Sequence, residues 1–136
     1  MTLQQITIRA REFAPDPITD AEGHAMLRAV VTLFGKWQIT DEDAAVLLDL
    51  PLRTYRRRKA GDAGRMNRDL KARLSNVLGI HKALRIIFTE PHRAYGWIKA
   101  ENAGFDGRSA LDVMRGGELT DLMRVRRYLD AARGGW

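Results

Sequence analysis

The chain has 136 residues, enough for one or two small domains and short for a multi-domain enzyme. Hydrophobic residues make up 45%, aromatics only 7%, and cysteine is absent. This favours a packed helical core and excludes disulfides, thiolate metal sites and cysteine nucleophiles. The formal charge of +6 is concentrated: Arg53 to Arg73 holds nine cations against Asp62 and Asp69, a local +7, and the remainder sums to −1. Such a cluster is either a solvated basic face or the footprint of a polyanion-binding surface, and its surroundings decide which. No apolar run approaches the roughly 20 residues of a membrane span, and the N-terminus lacks a signal-peptide core. A cytoplasmic protein with no membrane partner is expected.

Residues 1–18 read as a flexible arm, in which Ile6 and Ile8 hint at a short strand closed by Pro15 and Pro17. Thr19 or Asp20 caps a helix expected to reach Phe34 and to end at Gly35. Its apolar residues (Met26, Leu27, Val30, Val31, Leu33, Phe34) cover more than one face, which predicts burial on two sides, centrally or against a second subunit. Thr40 and Asp43 have capping-box character and open a short helix, 41–48, that stops before Pro51. A second short helix follows from Leu52 to Ala60, with Gly61 as its C-terminal stop. Asn67 caps a long helix to Phe88, with Gly79 as its weak point. Pro91 opens a helix carrying Tyr95, Trp97 and Ile98. A turn-rich loop (102–107), a short helix from Ser109 to Met114, a break at Gly116-Gly117 and a final helix from Leu119 to Ala132 complete the chain before the tail Arg133-Gly134-Gly135-Trp136. Nothing long alternates as a sheet would, so the fold class is all-α, a helical bundle.

Two short helices joined by a tight turn, the second cationic, form a candidate helix-turn-helix. Placing residues at about 100° steps with Tyr55 in the core sets Arg53 and Arg57 opposite it, with Arg56 beside them on the outward face. Arg58 and Lys59 fall on the flanks of Tyr55, where their stems would run along the core edge toward phosphates. Guanidinium forks match the two acceptors of guanine, and Thr54 adds a methyl group or a hydroxyl early in the helix. The candidate DNA-binding residues are therefore Arg53, Thr54, Arg56, Arg57, Arg58 and Lys59; the alternative is a structural hairpin with a soluble face. Asp49 occupies a turn position where positive φ is common, and Asp tolerates that geometry better than most residues.

Catalytic patterns are missing. His24, His81 and His92 lie far apart, and His81 reads as a packed core residue. The glycines at 104–107 and 116–117 lack the Lys-Ser/Thr ending of a phosphate loop. Asp112, Glu118 and Asp121 sit near helix starts and read as caps, and no nucleophile elbow is present. The chain is expected to be no enzyme, with no cofactor and no metal.

The stretch Ala94-Tyr95-Gly96-Trp97-Ile98, then Gly107 to Met114, then Val125 to Leu129, resembles the toxin-binding domain of Xre/MbcA/ParS-type antitoxins, the partners of RES-domain toxins. Upstream, Ala45 to Gly61, with Leu50-Pro51-Leu52-Arg53-Thr54-Tyr55, is similar to that family's Xre-like helix-turn-helix. Together the two regions cover roughly Leu33 to Trp136. The resemblance implies an antitoxin of a type II toxin–antitoxin system. It would cover the active-site cleft of a toxin that consumes or transfers from NAD, repress its operon through operator DNA, and form a homodimer. It implies a DNA-binding domain over 19–90 and a toxin-binding domain over 91–136. Carried over to this chain, the toxin-binding candidates are Trp97, Arg108, Ser109, Asp112, Arg133, Gly134, Gly135 and Trp136. Ala110 stands where the family often has proline. The tail has physical support of its own, since a Gly-Gly hinge before Trp makes a mobile apolar anchor, and Trp is enriched among interface hot spots. Two other readings remain at this stage, a stand-alone Xre-like repressor without a toxin and a small NAD-modifying enzyme; the motif search disfavours the second.

Overall fold

The computed structural model describes residues 16–62 and 64–134. Among them lie seven α-helices: α1 (Asp20–Lys36), α2 (Asp41–Leu48), α3 (Leu52–Lys59), α4 (Arg68–Ile87), α5 (Pro91–Trp97), α6 (Ala110–Met114) and α7 (Leu119–Ala132). A single 3₁₀ turn, Ala103–Phe105, separates α5 from α6, and an isolated bridge joins Glu101 to Ser109. The fold is all-α, as patterning predicts. The Ile6–Ile8 strand expected in the arm lies outside the described residues.

Side-chain caps fix where the long elements begin. Thr19 Oγ1 accepts from the Glu22 backbone N–H at 3.1 Å while Glu22 accepts from the Thr19 N–H, a reciprocal box. Thr40 Oγ1 accepts from the Asp43 N–H, and Asn67 Oδ1 from the Leu70 N–H at 2.8 Å. Each satisfies a donor that the helix leaves unbonded, worth about 1 kcal/mol.

The end of α1 departs from expectation. The helix runs through Gly35 to Lys36, Trp37 caps it, and the left-handed residue is Gln38 at φ 57°. The extra turn swings the Trp37 indole into the core, 5.9 Å from the Phe34 ring and 2% exposed. Burying a large apolar side chain is worth about 2–3 kcal/mol, more than the roughly 1 kcal/mol that Gly35 costs inside a helix. The broad apolar surface of α1 is largely covered within the chain: Leu27, Val30, Leu33 and Phe34 are buried, and Met26 and Val31 pack partly against the same core.

Helix α4 is the central column. Leu70, Leu74, Val77, Ile80 and Leu84 are buried along it, and α1, α2, α5 and α7 all pack on it, α7 most extensively. It stays continuous through Gly79. A Cβ there would lie 2.5 Å from the Arg126 guanidinium, so glycine lets the α7 side chain cross close to the α4 backbone. His81 is half-buried and stacks on Tyr95 at 6.3 Å. Burial, with Arg85 and Lys36 adding like charge, holds its pKa below the ordinary imidazole value. Residues before and after position 90 contribute to one hydrophobic core.

The turn between α2 and α3 is made by Asp49 in the left-handed region (φ 52°, ψ 49°) and by the Leu50 N–H bonding to the Ala45 carbonyl. This directs Tyr55 of α3 inward, beside buried Leu47 and Leu48, to 2% exposure. Arg73 of α4 is 4% exposed yet charged. Its Nη1 donates to the Leu47 carbonyl of α2 at 3.1 Å and to the Gly117 carbonyl between α6 and α7 at 2.8 Å; its Nε donates to Asp69 at 2.8 Å.

Arg73→Met should therefore destabilise the fold by about 2–4 kcal/mol in urea unfolding, because the buried Leu47 carbonyl and the half-buried Gly117 carbonyl lose their donor. Arg73→Lys should recover less than half, because a single ammonium cannot hold both carbonyls and Asp69 from the two separate nitrogens, Nη1 and Nε, that the planar guanidinium supplies. A loss below about 1 kcal/mol for Arg73→Met would contradict this assignment. Burial of Tyr55, with the Asp41 carboxylate nearby, pushes its pKa up to about 12, against about 10 in the unfolded chain. The folded state thus holds the phenolic proton more tightly, and stability present below pH ~10 should be lost as pH rises toward 12. Relative to Tyr55→Phe, the parent should lose on the order of 2–3 kcal/mol across that window, read by denaturant titration at each pH.

Candidate functional site

The outward face of α3 forms an open recess lined by Leu52, Arg53, Arg56, Arg57 and Ala60. With Tyr55 committed to the core, the 100° geometry turns Arg53, Arg56, Arg57 and Ala60 away from it, while Leu52 packs partly against the core. Arg53 and Arg57 are exposed, and Arg57 Nη2 reaches Thr54 Oγ1 at 3.5 Å, placing the two residues as one polar patch.

The other three cations of α3 have partners within the chain that the sequence reading does not include. Arg56 meets Asp41 at 3.3 Å and Glu42 at 3.2 Å, both on the first turn of α2, and Lys59 Nζ donates to Asp41 at 2.9 Å. The hydrogen bond from Lys59, aided by Arg56, holds the Asp41 carboxyl below its usual pKa despite some burial. Arg58 folds over the loop that follows α3: its Nη2 donates to the Arg65 carbonyl at 2.6 Å. Glycine suits position 64, which takes φ +57°, and its lack of a side chain lets the Arg58 guanidinium carbon come within 2.6 Å of where a Cβ would stand. Hydrophobic periodicity locates Tyr55 but is silent on these pairings, because Asp41 and Glu42 are 14 to 18 residues from their partners.

In the C-terminal segment, Asn102 organises a tight turn. Its Oδ1 accepts from the Gly104 N–H at 2.8 Å and from the Tyr128 hydroxyl at 3.3 Å, and its carbonyl accepts from the Phe105 and Gly107 N–H groups. Asp106 and Gly107 take positive φ to reverse the chain. A Cβ on Gly104 would lie 2.5 Å from the Tyr128 ring, so glycine permits the contact. The result is an aromatic group of Trp97, Phe105 and Tyr128, with Trp97 stacked on Tyr128 at 6.1 Å and Phe105 4.9 Å from Tyr128. Arg124 lies over the Phe105 ring at 5.4 Å, within cation–π range. Trp97 and Tyr128 keep part of their surface in solvent, Tyr128 being 38% exposed. Phe105, Arg124 and Tyr128 are not singled out from the sequence; Tyr128 sits one residue beside the buried stripe Leu122, Val125, Leu129, where helical spacing gives no signal for it.

Of the remaining candidates, Arg108 is exposed and donates to the Asp112 carbonyl at 2.8 Å, and the Asp112 carboxylate faces Arg115 at 3.5 Å. Ser109 is 7% exposed, and its Oγ accepts from the Asp112 N–H as the cap of α6. It therefore shapes the surface from beneath. Arg133 lies 3.4 Å from Asp130, and Gly134 is exposed at φ +109°. Gly135 and Trp136 fall outside the described residues. The structure brings Trp97 together with Phe105 and Tyr128, and Arg108 with Ser109 and Asp112 around α6. Among the described residues, no helix is long and apolar enough to cross a membrane.

Two family models match this chain in the order the structure displays. Residues 16–79 match the antitoxin Xre-like helix-turn-helix domain, and residues 83–135 match the antitoxin Xre/MbcA/ParS C-terminal toxin-binding domain. A protein of Sinorhizobium fredii (strain NBRC 101917 / NGR234), bearing the name "Uncharacterized protein y4oB", is 45% identical over 113 residues, 82% of this chain and 86% of that one. Both matched domains are those of antitoxins, which are regulatory proteins. With a helix-turn-helix and a toxin-binding domain built on one core, the chain belongs to the Xre/MbcA/ParS antitoxins of toxin–antitoxin systems.

Proposed function

We propose that this antitoxin pairs with a RES-domain toxin that uses NAD, covers its active-site cleft with the C-terminal segment, and represses its own operon as a homodimer bound to operator DNA. The observation that carries the reading is the pairing of two chemically different exposed faces on one core. One is the cationic patch of Arg53, Thr54 and Arg57 on α3, and the other the aromatic and polar surface around α6 and α7. On DNA, Arg53 and Arg57 meet base edges, with Thr54 beside them. Arg56, Arg58 and Lys59 reach phosphates only by exchanging their intramolecular partners. On the toxin side, Trp97, Arg108, Asp112, Arg133 and the Gly134 to Trp136 tail form the contact, over the helix that Ser109 starts. The protein acts in the cytoplasm and carries out no chemistry of its own; the reaction it silences is the toxin's.

Expressing a candidate RES-domain toxin with and without this chain, and following growth and cellular NAD, tests the partner. NAD should fall with the toxin alone and recover when the chain is supplied; unchanged NAD in both cultures would sink the RES assignment. Deleting Gly134 to Trp136 should leave the melting temperature nearly unchanged but weaken toxin binding by at least about 2 kcal/mol, roughly thirtyfold. Equal potency of the two forms would move the inhibitory surface to Trp97, Arg108 and Asp112.

The DNA arm is read by titrating the upstream duplex. Arg53→Ala or Arg57→Ala should each cost about 1–3 kcal/mol at the operator and relax preference at one base pair. The double variant should still neutralise the toxin, since α3 lies outside the C-terminal segment. A folded double variant that binds the operator as tightly as the parent would remove α3 from the interface.

A further inference from the structure

Asp41 and Glu42 begin α2, and their carboxylates take up two of the five cations on α3. The two oxygens of Asp41 divide between Lys59 Nζ at 2.9 Å and Arg56 Nε at 3.3 Å, and Glu42 Oε1 accepts from Arg56 Nη2 at 3.2 Å. Asp41 is the more enclosed partner, its side chain 26% exposed against 55% for Arg56 and 50% for Lys59, while Glu42 is exposed at 62%. The cations thus lie over a fixed carboxylate at the rim of the recess. Arg53 and Arg57, among the described residues, form no ion pair. A phosphate approaching α3 competes with carboxylates for Arg56 and Lys59, and meets no such competitor at Arg53 and Arg57.

Non-specific DNA affinity is almost wholly this cation–phosphate term, and phosphate contacts carry no sequence information. Cations neutralised from within therefore subtract more from binding to random sequence than from binding to the operator. Building on the DNA-binding role above, we propose that Asp41 and Glu42 are specificity-determining residues of the interface. They hold Arg56 and Lys59 out of indiscriminate phosphate contact, so that recognition rests on Arg53 and Arg57. What matters for a repressor among many competing sites is the ratio of the two affinities, which this arrangement raises.

The test compares Asp41→Asn/Glu42→Gln with Glu90→Gln/Glu101→Gln, which changes net charge by the same amount at exposed positions away from the α2–α3 pairs. Thermal melts confirm that Thr40 still caps α2 in the first variant. Binding is measured on a random-sequence duplex and on the upstream duplex over a salt series. The first variant should bind random duplex about tenfold more tightly at about 0.1 M salt, with log K against log salt steeper by about 2 per protomer, and its operator-to-random ratio should fall. The control pair should produce a much smaller change. Equal effects of the two pairs would reduce the result to net charge and overturn the proposal. So would weaker operator binding by the first variant, since that would make the carboxylates supports for base contact by Arg56. The random-duplex arm needs no operator, so a parent that shows no preference for upstream DNA refutes the repressor reading separately.

Discussion

One buried guanidinium ties the two halves of this antitoxin together. Moving a cation out of water costs several kcal/mol, and the cost is offset only when its donors are met in good geometry. Arg73 meets that condition by bonding three elements at once: the α2 carbonyl of Leu47, the Gly117 carbonyl before α7, and Asp69 one turn back on α4. The α2 carbonyl is one that the helix end leaves without an internal partner, and the Gly117 carbonyl sits in a turn with positive φ. Both groups are therefore satisfied by the same side chain, and the helix-turn-helix acquires a fixed position relative to the C-terminal segment. Arg115 reinforces the junction by reaching Asp43 of α2 at 3.2 Å.

The cationic segment illustrates what a charge count does and does not convey. Nine cations between Arg53 and Arg73 suggest a uniformly basic surface. In the fold, Arg73 is structural, Lys71 pairs with Asp20 at 2.8 Å, and Arg56 and Lys59 pair with Asp41 and Glu42. Four of the nine thus meet carboxylates inside the same molecule, and the partners of three come from outside the segment. Helical spacing locates which way a side chain leaves its own helix, but it carries no information about the acid that a neighbouring helix places beside it.

Local signals were legible in proportion to how local their physics is. The caps at Thr19, Thr40 and Asn67 and the left-handed Asp49 depend on a few consecutive residues, and each appears where the sequence indicates. The stop at Gly35 failed because burial of Trp37, a tertiary gain, outweighs a local glycine preference. Likewise Gly79 and Gly104 looked like weak points or turns. Their reason is a side chain from α7, Arg126 in one case and Tyr128 in the other, crossing where a Cβ would stand. The family resemblance pointed to Trp97, but its stacking partner Tyr128 is supplied by a helix 30 residues on, outside the reach of any periodicity.

A shared core has a consequence for how a partner on one face affects the other. Leu47 and Gly117 are held by the same Arg73 nitrogen, and a Cβ on Gly117 would touch Val46 of α2 at 3.5 Å. Displacing the turn before α7 would therefore strip the half-buried Gly117 carbonyl of its donor, at about 1 kcal/mol, before α2 could move. Small adjustments around α6 and α7 are opposed by that cost, so the α2–α3 pair keeps its geometry while the C-terminal surface is engaged. Coupling between the two faces is then expected to act through what a bound partner sterically covers, or through the assembly it builds, with the helix-turn-helix itself remaining a rigid reader. The same rigidity keeps Asp41 and Glu42 in register with Arg56 and Lys59, so the charge balance of the cationic face is a fixed property of the fold.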